Sequence, residues 1–184
     1  MSHAREPGVE RALNGLVERC RAAGIDLAQP LDGAWYDDLV PSEYRLPDVG
    51  RTRPLALLLA STRALWRPFV ERLRAEPGRI DEEHPLDRWV EDVVRDALAG
   101  LDVRHEVRFA HEPPPRRVAM QRLAQVAGLA WLAPSMLCVH PVYGPWIGLR
   151  AVVVLDADGP PGPPPAPRVP CDGCADRCAP ALER

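Results

Sequence analysis

The chain has 184 residues, a net charge of −3, 46% hydrophobic residues and 27% charged ones, which suits one soluble domain with a substantial core. This balance excludes a general nucleic-acid binder, which carries a basic surplus, and no apolar run approaches the roughly 18 residues a membrane span needs. All 23 basic residues are arginine, so Schiff-base lysine chemistry, pyridoxal phosphate chemistry and a Walker P-loop are excluded as well.

Residues 1–20 lack an apolar h-region, so no secretory leader is expected and the expected compartment is the cytoplasm. In chain order, "EPGVERALNGLVERCRAAG" places Val9, Leu13, Leu16, Val17 and Cys20 on one helical stripe that stops at Gly24. "RPLALLLAS", Arg53 to Ser61, is a continuous apolar run that reads as a buried strand; its lack of β-branched residues leaves a short helix open. "TRALWRPFVERLRAE" puts Leu65, Trp66, Phe69, Val70 and Leu73 at helical spacing, with Pro68 marking a kink or a late start. Trp66 and Trp89 are expected to pack in the core.

"HPLDRWVEDVVRDALAG" is the clearest helix, opened by Pro85 and closed by Gly100. "LDVRHEVRFA" alternates Val103, His105, Val107 and Phe109 with charged residues, as a half-exposed strand does. After Pro113 to Pro115, "RRVAMQRLAQVAGLAWLA" predicts a helix burying Val118, Leu123, Val126, Ala127 and Ala130. "LRAVVVLD" is the next strand. Helices and strands mix without strict βαβ alternation, which predicts an α+β fold with a mainly antiparallel sheet and flanking helices. The domain is expected to span 1–158. Residues 159–184 then form a proline-rich linker, "GPPGPPPAPRVP", and a cysteine-rich tail, "CDGCADRCAPALER".

The candidate chemistry gathers late in the chain. Cys171, Cys174 and Cys178 are spaced as ligands of zinc or an iron–sulfur cluster are; a fourth ligand would come from Cys20, Cys138, His140 or a second chain. A redox-labile thiol cluster is the alternative. In "CVHPVYG", Cys138 and His140 precede a turn that Pro141 and Gly144 shape, which a ligand edge could approach. Arg150 stands inside an apolar strand and needs an anion: Asp37, Asp38 or Asp156 from within, or a ligand carboxylate or phosphate. Trp35, Trp131 and Trp146 fall near turns or helix ends, where rings either pack or wall a flat ligand. There is no G-x-G-x-x-G, G-x-S-x-G or H-E-x-x-H.

Four segments, "AWYDDLVPSEYRLP", "RPLALLLASTRALWRPFVERL", "QVAGLAWL" and "CVHPVYGPWIGLRAVVVLD", together resemble the cobalamin-processing CblC family of cyanocobalamin reductases and alkylcobalamin dealkylases, in the same order from Ala34 to about Asp156. The resemblance implies a nitroreductase-like, flavin-reductase-related fold with a large cavity that binds cobalamin base-off. The D-x-H-x-x-G motif that supplies a cobalt-ligating histidine elsewhere is absent. It also implies that Gln125, Trp131, Ser135, Cys138, His140, Trp146 and Leu149 line that cavity and that Arg150 holds the carboxylate of a thiol. Gln125 stands where the family pattern has a histidine, and the segment between "QVAGL" and "CVHP" is shorter. The implied reaction removes the upper axial ligand of cobalamin, by reductive decyanation or thiol-dependent dealkylation. A low-molecular-weight thiol or a flavin or ferredoxin donor supplies the electrons, FMN is a further candidate cofactor, and a homodimer is expected.

"AGLAWLAPSMLCVHPVYG" is also similar to a segment of epoxyqueuosine reductase, whose cobalamin domain runs into iron–sulfur cysteines. That likeness implies a cobalamin-dependent reductase with an iron–sulfur tail. A cobalamin carrier without turnover and a flavin reductase complete the expectations.

Overall fold

A computed structural model describes residues 7–166 and 169–170; Cys171, Cys174 and Cys178 lie outside the described residues. Helix α1 (Pro7–Ala22) leads into strand β1 (Leu27–Asp32), the short helix α2 (Gly33–Asp37) and strand β2 (Pro54–Ser61). Helices α3 (Trp66–Ala75) and α4 (Pro85–Leu98) follow, then β3 (His105–Phe109), α5 (Met120–Val126), a two-stranded hairpin of β4 (Trp131–Leu132) and β5 (Cys138–Val139), and the long strand β6 (Gly148–Asp158). The main sheet has the order β1-β2-β6-β3, and every neighbouring pair is antiparallel.

β2 is a strand because both its faces are covered. Leu55, Leu57 and Leu59 point to a core shared with Leu13, Leu16 and Cys20 of α1 and Val90 and Val94 of α4. Ala56, Leu58 and Ala60 point the other way, to a core built with Tyr36 of α2 and Leu123, Ala124 and Val126 of α5. The two periodicities explain a run with no polar alternation: in a strand between two helical layers, odd and even residues are both buried. Each leucine so buried contributes about 1.5–3 kcal/mol relative to exposure, enough to override the weak strand preference of leucine. β6 repeats the arrangement with Ala151, Val153 and Leu155 on one face and Val152 and Val154 on the other.

The structure adds one strand, selects the late start of α3 over a kink, and changes two expectations. β1 escaped the pattern because Pro30 interrupts it; it is an edge strand pairing with β2 alone, where a missing N–H is tolerated. α3 starts at Trp66 after a 3₁₀ turn at Arg63–Leu65, so Pro68 sits in its first turn and nothing kinks. Trp66 is 56% exposed, not core; Leu65 and Phe69 take that place. The helix expected over 116–133 is limited to Met120–Val126, because Gly128 adopts φ +72° and turns the chain into the hairpin, making Trp131 a strand residue.

The corner between β1 and α2 is held by a buried carboxylate. Asp32 is fully buried; its Oδ1 accepts from the Ala34 amide at 2.9 Å, capping α2, and its Oδ2 accepts from Arg53 Nε at 2.6 Å. The proline-rich segment then returns over this corner instead of leading straight away from the domain. The Gly159 amide donates to the Arg53 carbonyl at 3.1 Å. Trp35 Nε1 donates to the Gly162 carbonyl at 3.2 Å. The Pro165 ring lies over Gly128, 2.8 Å from where a side chain there would begin. Glycine at 128 therefore serves two needs, the left-handed backbone and the close approach of the strap.

Candidate functional site

Of the site residues expected from the sequence, Gln125, Trp131, Ser135, Cys138, His140, Trp146, Leu149 and Arg150 lie among the described residues, on α5, the β4–β5 hairpin, the loop after it and the start of β6. α5 carries Gln125, half-buried, one turn before the Gly128 reversal. The β4–β5 hairpin pairs Trp131 with Val139 and Leu132 with Cys138, and it packs on α5 and on Leu149 and Ile147 through the same apolar core. Trp131 is half-buried, and its indole N–H is buried with no acceptor among the described residues. Ser135 sits half-buried in the hairpin turn, which Met136 closes at φ +62°.

Cys138 is buried and its Sγ donates to the Gln121 carbonyl at 3.8 Å. Burial pushes its thiol pKa up, and burial likewise pushes Cys20 up to about 11. Both thiols therefore remain protonated and poorly nucleophilic at neutral pH. A fourth cysteine ligand for the terminal cluster would have to leave the core. Among the described residues no group of three His, Cys, Asp or Glu could hold a metal ion.

His140 organises the loop that follows. Its amide donates to the Gly144 carbonyl at 2.8 Å and its carbonyl accepts from the Gly144 amide at 2.9 Å. Its Nδ1 accepts from the Val142 and Tyr143 amides at 3.1 and 3.3 Å, which places the proton of the neutral ring on Nε2. Burial holds the His140 pKa below the ordinary 6.5. Because the folded value is depressed, the stability it contributes is present above the unfolded value and is lost as pH falls below it. In NMR spectra the Val142 and Tyr143 amides should titrate together with a midpoint below 6.5; a midpoint above it would mean that the ring is not held neutral by these bonds.

This loop also gathers exposed apolar side chains. Of the eight exposed large hydrophobic side chains among the described residues, five fall between Met136 and Trp146: Met136, Leu137, Val142, Tyr143 and Trp146, the last 83% exposed. A concentration of this kind marks a ligand or interaction surface.

Arg150 is set apart by a β-bulge. Leu59 pairs with Ala151 and Ala60 with Leu149, so Arg150 is the extra residue of β6. Leu149 consequently packs on the α5 side. The Arg150 guanidinium folds back over Gly148, where a Cβ would lie 2.5 Å from one of its nitrogens, and Nε donates to buried Ser61 Oγ at 2.8 Å. Ser61 continues the Leu55, Leu57, Leu59 alternation, so this head group turns to the α4 face. None of the internal partners considered from sequence holds it: Asp156 pairs with Arg51 at 2.6 Å, and Asp37 accepts from the Leu46 amide. Burial lowers the Arg150 pKa and the Asp87 carboxylate opposes that shift from a distance. The signal that sequence reading lacked was the register: nothing in "IGLRAVV" announces which residue is unpaired.

The described residues form an α+β domain whose antiparallel sheet is covered on both faces and carries an apolar loop, a buried indole donor without an acceptor among the described residues and a bulged arginine. Compared with known proteins, the chain is 31% identical over 166 residues to the cyanocobalamin reductase / alkylcobalamin dealkylase of Bos taurus, covering 77% of this chain and 56% of that protein. It is 31% identical over 161 residues to the human protein of the same name, covering 74% and 54%. The B12-trafficking protein CblC of C. elegans superposes with a TM-score of 0.68 at 18% identity, over 88% of this chain and 75% of that one. An epoxyqueuosine reductase shares the fold at a TM-score of 0.50 and 15% identity, over 91% and 51%. No protein-family model matches. The chain belongs to the CblC family of cyanocobalamin reductases / alkylcobalamin dealkylases, and it spans a little over half the length of the mammalian relatives it matches.

Proposed function

We propose that the chain binds cobalamin in its base-off form and removes the upper axial ligand, by reductive decyanation or thiol-dependent dealkylation. The observation that carries this reading is the 31% identity over 166 residues to a protein named for those activities. The site supports it physically. The exposed apolar rim from Met136 to Trp146 suits the flat face of a corrin, and the unpaired Trp131 indole N–H suits an amide acceptor on its edge. Gln125 and Ser135, both half-buried, add neutral polar contacts. With the nucleotide base detached, cobalt loses its lower donor and accepts electrons more readily, so the protein's own share is binding and orientation. Arg150, charged and without a carboxylate partner among the described residues, would hold the carboxylate of a low-molecular-weight thiol through its planar fork. The nitroreductase-like, flavin-reductase-related ancestry and an intracellular setting belong to the same proposal.

The test is the visible spectrum of the purified protein titrated with cyanocobalamin and methylcobalamin. A shift to the base-off spectrum is the expected result, followed by loss of the upper ligand once a thiol is added. Binding without that loss would leave a carrier. An unchanged spectrum would rule out the cobalamin site, and a yellow protein as purified would favour flavin chemistry.

A further inference from the structure

Arg150 has a neighbour on the α4 face to which no role has yet been given. Its head group turns to that face beside Ser61. Its carbonyl accepts from the Ala110 amide at 2.9 Å, so His111 follows directly alongside. His111 Nδ1 lies 3.7 Å from the Asp87 carboxylate, beyond hydrogen-bond reach, and Asp87 belongs to the first turn of α4. Asp87 is thereby placed on the same side of the sheet as the Arg150 head group, and its charge acts on Arg150 from there.

The two charges are not paired with each other. Among the described residues Arg150 makes no ion pair with a carboxylate, and Asp87 makes none with an arginine. The carboxylates around them are matched: Glu91 meets Arg95 at 3.0 Å and His111 Nε2 at 2.8 Å, and Glu112 meets Arg116 at 3.1 Å. The Asp87 side chain is 35% exposed at a helix N-terminus, whose partial positive charge favours an anion, so it holds its charge without an arginine. A guanidinium and a carboxylate held near each other and left open are complementary to one kind of ligand head, a carboxylate and an ammonium on a single carbon.

The geometry points to Asp87 as the residue that sets which thiol is used: Arg150 takes the carboxylate, and Asp87 the ammonium, of a thiol with an α-amino-acid head. The inference rests on the thiol-dependent dealkylation proposed above and deepens it by naming the class of thiol. In the step itself the thiolate sulfur bonds to the methyl carbon of methylcobalamin, the cobalt–carbon bond breaks with its pair left on cobalt, and Co(III) becomes Co(I). The proton of the thiol goes to solvent, and the product is a thioether. Asp87 takes no part in that exchange of bonds; it positions the thiol by its head.

The experiment measures KM and kcat for anaerobic dealkylation of methylcobalamin by the full chain with L-cysteine, N-acetyl-L-cysteine and 3-mercaptopropionate. All three carry a carboxylate, and only cysteine carries an ammonium. In the wild type cysteine should have the lowest KM by about tenfold, the size of one charge-assisted hydrogen bond. Asp87→Asn should raise the cysteine KM by about the same factor with kcat within about twofold, and should lower the KM of the two anionic thiols, because a repelling charge has gone. Asp87→Glu should keep the preference for cysteine. An Asp87 that only supports the fold would instead move all three thiols together and lower Tm. Equal KM values for the three thiols in the wild type, or an Asp87→Asn variant that still prefers cysteine, overturn the inference and leave base-off binding and dealkylation standing. The wild-type comparison needs no variant, so it decides even where Asp87→Asn fails to fold. A chain that shifts cobalamin to the base-off form but dealkylates with none of the thiols also overturns it. Absence of the base-off shift removes the cobalamin reading itself, and this inference with it.

Discussion

Arg150→Ala should lower thiol-dependent dealkylation of methylcobalamin by about 30–100-fold while changing base-off binding by less than about threefold. The size follows from the loss of charge-assisted hydrogen bonds of roughly 2–3 kcal/mol to a ligand carboxylate. The selectivity follows from geometry. Arg150 is the bulged residue of β6, and its guanidinium lies over Gly148 on the face of the sheet opposite Leu149 and α5. It can therefore be removed without touching Gln125, Trp131 or the hairpin. Ser61→Ala, which deletes the acceptor for Nε, should reproduce a milder form of the defect, because the charge survives and only its aim is lost. Lysine at 150 should not restore the rate, since an ammonium lacks the planar fork. Equal loss of binding and of dealkylation would mark Arg150 as an arginine that holds the bulge.

The second large effect falls on stability. Asp32→Ala should destabilise the fold by about 3 kcal/mol, most of it from the lost helix cap and the Ala34 amide left unsatisfied, with a smaller share from the lost bonds to Arg53. For a chain of this size that corresponds to a fall in Tm of about 6–12 °C. Arg53 is 57% exposed, so water takes up its charge and the ion pair itself contributes the smaller part. The larger part is the unsatisfied Ala34 amide and the bed that Asp32 provides for Gly159, whose α-carbon packs directly on it. Asp32→Asn keeps the cap acceptor and the volume and should lose less than half as much. A Tm within about 2 °C of wild type for the alanine variant would show that this corner is not held by the carboxylate.

How much of this was legible beforehand depended on whether the deciding force was local. α4 announced itself through Pro85, its apolar stripe and Gly100, and β3 and β6 through alternation and β-branched content. β1 did not, because Pro30 is acceptable only at a sheet edge, and edges are decided by topology. The helix expected to run to Ala133 stopped at Val126 for a reason present in the sequence, Gly128, whose apolar neighbours outweighed it. In the candidate site, the stretch from Ser135 to Arg150 stood out in the sequence by its mixture of thiol, imidazole, turns and arginine. The division of Leu149 and Arg150 between opposite faces was not recognisable, because a bulge exists only relative to a partner strand.

The position of β6 has a consequence for how the chain is made. It lies between β2 and β3 and is the only partner of β3 among the described residues, yet it follows every other described strand in the sequence. In a nascent chain that ends before Gly148 the main sheet can pair only β1 with β2, with four buried leucines of β2 still lacking one neighbour. The strap arrives later still, closing a corner laid down more than 120 residues earlier, from Asp32 to Gly159. Folding of this domain therefore waits for β6, and contacts distant in sequence must form together. The segment before Gly148 is exposed to unproductive pairing for as long as β6 is unmade.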